Sequence, residues 1–340
     1  MPLTLEDIAR IAGTSRSTVS RVINGDQNVS EATRTKVMDV ISKVNFQPNL
    51  AARGLAAGHT GILGLVIPMG VSAIFADPFF PLLIQGVSGQ CNSRDVSVML
   101  WLAEPEFERR TINNVLYNGL IDGVIIASML TDDSLVDALR NKSLPFVLVG
   151  RHPTDEHIHY VDSDNRSGAY QAVLHMVRMG RKRIACINGP ANMIAGMDRA
   201  RGYRDALKER GISLQPELVV EADFTDPGGY AAMKQLMQYR PDAVFAASDT
   251  MAIGAVRAIH ELGLRVPEDI AVVGFDDIPM ASRITPSLTT VRQPISRIGA
   301  IAADTLIDLI ENPSDRPQHI ILPTELVIRE SCGAIHPVRS

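Results

Sequence analysis

The chain reads as an α/β protein with an N-terminal three-helix, helix-turn-helix headpiece and then two doubly wound parallel-sheet lobes. Three observations predict this. Residues 3–57 place apolar side chains at helical spacing between cap and glycine signals. From Gly61 onward, short Val/Ile/Leu runs alternate with amphipathic stretches, as strands buried on both faces of a parallel sheet require. That scheme then occurs a second time at similar length.

In the headpiece, Thr4 is placed to cap a first helix, with Asp7 three residues on and Leu5, Ile8, Ala9 and Ala12 along one face. Gly13 ends it. Ser15 can cap a second helix that turns Val19, Val22 and Ile23 inward and stops near Asn24-Gly25. Ser30 can cap a third, with Val37, Val40, Ile41 and Val44 at helical spacing. Two short helices on a tight turn, braced by a third, are the arrangement whose second helix enters the major groove. Arg16, Ser17 and Arg21 then face outward, and an arginine fork fits the O6/N7 edge of guanine. A small three-helix bundle with solvated arginines has the same spacing.

The first lobe offers strands at 62–68, 96–102, 123–127 and 146–150, with helical stretches near 79–93, 106–117 and 133–141. The second offers strands at 183–188, 218–222, 243–247 and 270–275, with helices near 197–210, 227–238 and 249–262. In such sheets ligands sit beyond the carboxyl ends of the strands, so two facing lobes make a cleft.

A net charge of -5 speaks against nucleic acid if taken whole, but residues 1–60 hold 7 Lys/Arg against 5 Asp/Glu. The motif, rather than the charge, carries the argument. Cys91, Cys186 and Cys332 show no metal or redox spacing and read as free thiols in a reducing cytoplasm. No signal-peptide run and no membrane-length apolar segment is found, which predicts a cytoplasmic protein without membrane association. The histidines of RHPTDEHIHYVD match no zinc spacing, and RMGRKRI reads as a solvated helix end. There is no P-loop, nucleophile elbow or HExxH, so neither enzymatic activity, metal nor cofactor is expected.

The segments LEDIARIAGTSRSTVSRVINGDQNVSEATR and FQPNLAARGL resemble the headpiece and hinge helix of the LacI/GalR family of bacterial transcription regulators. RARGYRDAL, PDAVFAASDTMAIGAVRAI, VPEDIAVVGFDD and PSLTTVRQP extend the likeness through a periplasmic-binding-protein-like core, over essentially the whole chain. The resemblance implies a headpiece at 1–47 and a hinge and linker at 48–60. It gives a first lobe at 61–163 with 294–324 and a second at 164–293 with 325–340, so that the chain crosses near Asp162–Asp164, Gln293 and Thr324. It also implies DNA contacts at Thr4, Ser15, Arg16, Ser17, Thr18, Arg21, Asn24, Leu55 and Ala56, with Leu55 as the wedge that unstacks a central base step.

For the effector, the resemblance points to Phe79 and Phe80, Ser128, Met193, Arg199, Phe224 and Asp276. Core packing, turn capping or a surface ion pair is the bland role of each. An acidic contact falls near the first crossing, at Asp164 or Asp162; Asp277 reads as structural. Met193 and Ala195 stand where purine-sensing relatives carry polar contacts. An apolar wall with aromatics, Trp101 among them, suits a sugar, and the finer expectation is a di- or oligosaccharide such as an α-glucoside. The implied function is a ligand-responsive repressor of carbohydrate-utilisation genes, a homodimer on palindromic double-stranded operator DNA. A corepressor-dependent global regulator and a transport-type sugar-binding protein are the alternatives. The short C-terminal segment, broken by Pro337, favours a dimer over a tetramer.

Overall fold

The computed structural model describes residues 3–23, 25–46, 59–67, 70–101, 119–127, 131, 135–140, 144–154, 156–314 and 316–334. Asn24, Leu55, Ala56, Ser128 and the helix expected at 106–117 lie outside them. The chain divides into two compact units, Met1–Gly61 and Ile62–Ser340.

In the first unit, helices α1 (Leu5–Ala12), α2 (Arg16–Ile23) and α3 (Glu31–Lys43) enclose a small core of Ile8, Ala9, Ala12, Val19, Val22 and Val37. Each start is fixed by a side chain. Thr4 and Asp7 form a reciprocal capping box, Ser15 Oγ accepts the amide of Thr18 at 3.1 Å, and Ser30 Oγ accepts that of Thr33 at 3.4 Å. Gly13 closes α1 with a left-handed φ of 59°, a conformation a Cβ disfavours. The turn into α2 therefore rests on that glycine.

The second unit holds two six-stranded sheets. The strands are β1 (Ile62–Val66), β2 (Ser97–Trp101), β3 (Gly123–Ala127), β4 (Phe146–Val149), β5 (Tyr160–Ser163), β6 (Ile184–Asn188), β7 (Val219–Glu221), β8 (Ala243–Ala246), β9 (Ala271–Asp276), β10 (Thr289–Arg292), β11 (His319–Leu322) and β12 (Glu325–Val327). Their orders are β11-β5-β4-β3-β1-β2, all parallel, and β12-β10-β9-β8-β6-β7, parallel except where β12 runs against β10. The central strands are buried along their whole length, which explains their unbroken apolar runs.

Helices α4 (Val71–Ala76), α5 (Phe79–Ser93), α6 (Leu135–Arg140) and α11 (Ile295–Glu311) accompany the first sheet. Helices α7 (Asn165–Arg178), α8 (Ile194–Glu209), α9 (Asp226–Leu236) and α10 (Asp249–Glu261) accompany the second. The chain passes from one sheet to the other between β5 and α7, between β10 and α11, and between β11 and β12. Periodicity did not reveal α4, α7, α11 or the strands β5, β10, β11 and β12, which are only three or four residues long. All three cysteines are buried thiols, and burial pushes Cys91 up to about 11 and Cys186 up to about 12.

One buried carboxyl ties the second sheet to its helices. Asp249, at the start of α10, accepts the Thr290 hydroxyl at 2.5 Å and the Ile278 amide at 2.9 Å. Burial pushes it up to about 7 despite these bonds. The folded chain thus holds this proton more tightly than an unfolded carboxyl of about 3.9 does. That stabilisation is complete below about pH 4 and is lost as pH rises through about 7. Asp249→Asn should therefore flatten the fall in thermal midpoint between pH 5 and pH 8, as read by calorimetry. An unchanged slope would place the titration elsewhere.

Candidate functional sites: a nucleic-acid face and an interlobe cleft

On α2, Val19 and Val22 are buried, which turns Arg16, Ser17 and Arg21 to solvent. The arginines are only loosely engaged. Arg16 Nε lies 3.0 Å from Glu6 and Arg21 Nε 3.8 Å from Asp26, with the two arginine side chains 67% and 63% exposed. Exposed pairs of this kind are worth little and exchange readily for phosphate or base partners. The first turn of α2 carries no acidic residue, and the hydroxyls of Ser15, Ser17 and Thr18 cluster there within 2.9 Å of Ser15 Oγ. A helix start without an acidic residue and ringed by hydroxyls suits a phosphate. Thr4 stays exposed at the start of α1, where its hydroxyl donates to Asp7 at 2.8 Å.

In the second unit a cleft opens at the carboxyl ends of both sheets. From the first lobe it is lined by Phe79, Leu148, Val149, Gly150, Arg151, Asp162, Ser163 and Ile298. From the second it is lined by Asn165, Met193, Ile194, Ala195, Arg199 and, at the second crossing, Gln293. Helix α8 begins here at Met193 with no side-chain cap and no acidic residue in its first turn. The first turn of a helix that lacks such a cap can donate to ligand oxygens.

At the base of the cleft the first two crossings are joined by a ring of hydrogen bonds that an ion pair closes. Arg199 Nε donates to Asn165 Oδ1 at 2.9 Å, and its Nη1 donates to the Ala247 carbonyl at 2.5 Å and stands 3.4 Å from Asp276 Oδ1. Gln293 Nε2 donates to the same Asp276 oxygen at 2.5 Å, and Ser163 Oγ donates to Gln293 Oε1 at 2.8 Å. The Ser163 amide and Asn165 Nδ2 both donate to Asp162 Oδ1, at 2.8 and 3.1 Å. Arg199 is 4% exposed and its guanidinium lies 3.8 Å over the Phe275 ring. Burial lowers the arginine, and Asp276, Asp162 and Asp77 act against that. Asp276 is raised well above the usual carboxylate range by burial, which Arg199 opposes.

The sequence-predicted contacts divide. Phe79, Met193 and Arg199 line the cleft, and Asp276 sits behind Arg199. Phe224, at a left-handed φ of 65°, packs over Gly189 with its ring 5.9 Å from the Arg199 guanidinium carbon; a Cβ on Gly189 would fall 2.1 Å from that ring. Phe80 is corrected. It is 3% exposed, edge-on to Phe79 at 5.3 Å, and belongs to the core between α5 and the first sheet. Of the two acidic residues at the first crossing, Asp164 is engaged elsewhere. Its carboxylate caps α7 by accepting the Ser167 amide at 3.1 Å, while Asp162 faces the cleft. Asp277 pairs with Arg292 at 2.7 Å and Arg329 at 2.6 Å, a structural clamp. Arg151, Asn165 and Asp77 were not singled out, and Gln293 was named only as a crossing. Arginine after a strand-end glycine was the one signal that could have shown the first of them.

The headpiece matches the model of bacterial regulatory proteins of the lacI family over residues 4–49, and residues 173–332 match a periplasmic binding protein-like domain. The HTH-type transcriptional regulator CelR of Thermobifida fusca is 40% identical over 332 residues, 96% of this chain and 98% of that protein. The ribose operon repressor of Escherichia coli (strain K12) is 36% identical over 332 residues, 96% and 99% of the two chains. Among solved structures, a CelR–cellobiose complex has a TM-score of 0.78 at 38% identity, covering 97% of this chain and 99% of that one. A Lac repressor dimer bound to operator and the anti-inducer ONPF has a TM-score of 0.86 at 29% identity, covering 98% and 100%. Sequence, headpiece and paired sheets agree: the chain belongs to the lacI family of DNA-binding transcription regulators.

Proposed function

We propose that the protein is a cytoplasmic, homodimeric repressor of carbohydrate-utilisation genes, released from a partly palindromic operator when a neutral sugar binds in the cleft. The observation that carries this reading is the Arg199 ring beside the apolar wall of Phe79, Met193 and Ile194, with the Phe224 ring 5.9 Å from the guanidinium carbon. Fixed donors and acceptors next to an aromatic face suit a molecule with hydroxyls on its edge and C–H groups on its face. Arg199, Asp162, Asn165 and Gln293 would take the hydroxyls, and Phe79 and Phe224 the ring faces. Cellobiose, named in the complex of the 38%-identical relative, is the first probe, and an α-linked disaccharide the second.

The charges favour a neutral effector over a phosphorylated corepressor. Both arginines lining the cleft already face carboxylates, Arg151 those of Asp162 and Asp198 and Arg199 that of Asp276. A phosphate would meet two compensated cations and the buried Asp162. The headpiece sets the chain apart from a transport-type binding protein.

Arg16, Ser17 and Arg21 would read the major groove, with Thr4, Ser15 and Thr18 on the backbone. Sugar binding lowers DNA affinity by some factor, and linkage requires DNA to weaken sugar binding by the same factor. Two expected outcomes follow for fluorescence anisotropy on a labelled, CG-centred palindrome from the gene's own upstream region. Arg16→Ala or Arg21→Ala should weaken binding by about 1–3 kcal/mol and relax preference at one base pair. A uniform loss across sequences would make that arginine a phosphate contact. A neutral disaccharide should release the wild type and leave Phe224→Ala bound, whereas release only by a phosphorylated sugar would overturn the neutral-effector reading.

A further inference from the structure

The cleft is nearly shut. The space in it that admits a water-sized sphere is about 60 Å³, far below the roughly 300–1,000 Å³ of sites that hold small-molecule ligands. Two described contacts bridge it. The Thr131 amide donates to the Asn192 carbonyl at 2.8 Å, and Arg151 Nη2, on the loop after β4, reaches Asp198 Oδ2 on α8 at 2.5 Å. The other arm of Arg151 is held separately, by Asp162 Oδ2 at 2.9 Å within the first lobe. The fork is therefore aimed into the cleft whether or not Asp198 is present. Asp198 has a second cation within reach, Arg201 at 3.4 Å one turn along α8, with a half-exposed side chain.

We propose that Asp198 is a built-in competitor for the effector: it occupies the second arm of Arg151 and holds the cleft closed, and a sugar hydroxyl takes that arm as the carboxylate turns to Arg201. This rests on reading the cleft as a neutral-sugar site. The competition follows from the geometry. A carboxylate 3% exposed binds a guanidinium better than a neutral hydroxyl does, so each sugar that enters must first part this pair. Asp198 then sets affinity without touching the ligand, and the two members of the Asp198–Arg151 pair respond to mutation with opposite sign.

The test uses the full-length protein and cellobiose, titrated by calorimetry. Asp198→Asn should bind the sugar about fivefold more tightly, whereas Arg151→Met should bind it more weakly. Weakening by both variants, or no change in Asp198→Asn, overturns the proposal, because a purely structural ion pair moves both the same way. A second readout needs no sugar. With all three native cysteines buried, nitroxides on Asn92→Cys and Lys208→Cys report the distance between lobes, spin-diluted with unlabelled chain. Asp198→Asn should lengthen and broaden that distance, and Asp198→Glu should restore it. An unchanged distance in a variant with a normal melting temperature overturns the latch even if cellobiose binds neither protein. That last result, taken alone, would count only against the choice of sugar.

Discussion

A guanidinium with almost no access to water is the constraint around which the second unit is arranged. An isolated buried cation is untenable, so Arg199 demands a carboxylate, acceptors for its N–H groups and a polarisable surface. Asp276, the Asn165 amide oxygen, the Ala247 carbonyl and the Phe275 face supply these. They come from three elements: Phe275 and Asp276 from the end of β9, Asn165 from the start of α7, and Ala247 from just beyond β8. Those ends converge because parallel strands in one sheet finish on one side. The fold and the site are thus one solution to the same electrostatic problem.

The ring also sits where the chain changes sheets. Ser163 and Asn165 flank the first crossing, and Gln293 lies on the second. Hinge strands made only of apolar packing could slide in register, whereas directional bonds between Ser163, Gln293 and Asp276 hold them at fixed offsets. A hinge of this kind can bend while its residues keep their partners, which two lobes that open and close about it require.

Much of this was legible in the sequence, and what was missed has physical causes. The headpiece was readable because caps, a left-handed glycine and helical spacing agree at each boundary, as Thr4, Gly13 and Ser15 demonstrate. Strand runs were readable where both faces are buried. The crossing elements were not, since β5 and β12 carry short polar-interrupted segments. Phe79 and Phe80 looked equivalent, yet neighbours on a helix point about 100° apart, so one faces the cleft and the other the core. Asp164 and Asp162 looked interchangeable too. An aspartate just before a helix is a capping signal, and at Asp164 the carboxylate is engaged by the backbone amide three residues on. Asn165 left no trace and Gln293 marked only a crossing, because neutral amides have no spacing pattern of their own. They became visible only once Arg199 needed an acceptor and Asp276 a donor.

The proposed latch and the ring share a member, and that sharing has a consequence. Asp162 accepts from Arg151 through one oxygen and from the Ser163 amide and Asn165 through the other. Burial raises its carboxyl and the Arg151 charge opposes that, so the ion pair helps keep Asp162 ionised inside the ring. If Asp198 were the only partner of Arg151, opening the cleft would leave a partly buried cation uncompensated. With Asp162 in place, the arginine never loses its charge partner, and only the Asp198 bond has to break. The barrier to opening is then the exchange of one carboxylate for ligand hydroxyls and Arg201, within reach of a neutral sugar's binding energy. A ring that stays formed and a single bond that exchanges are what a two-state sensor needs: a rigid reference and one contact that differs between the states.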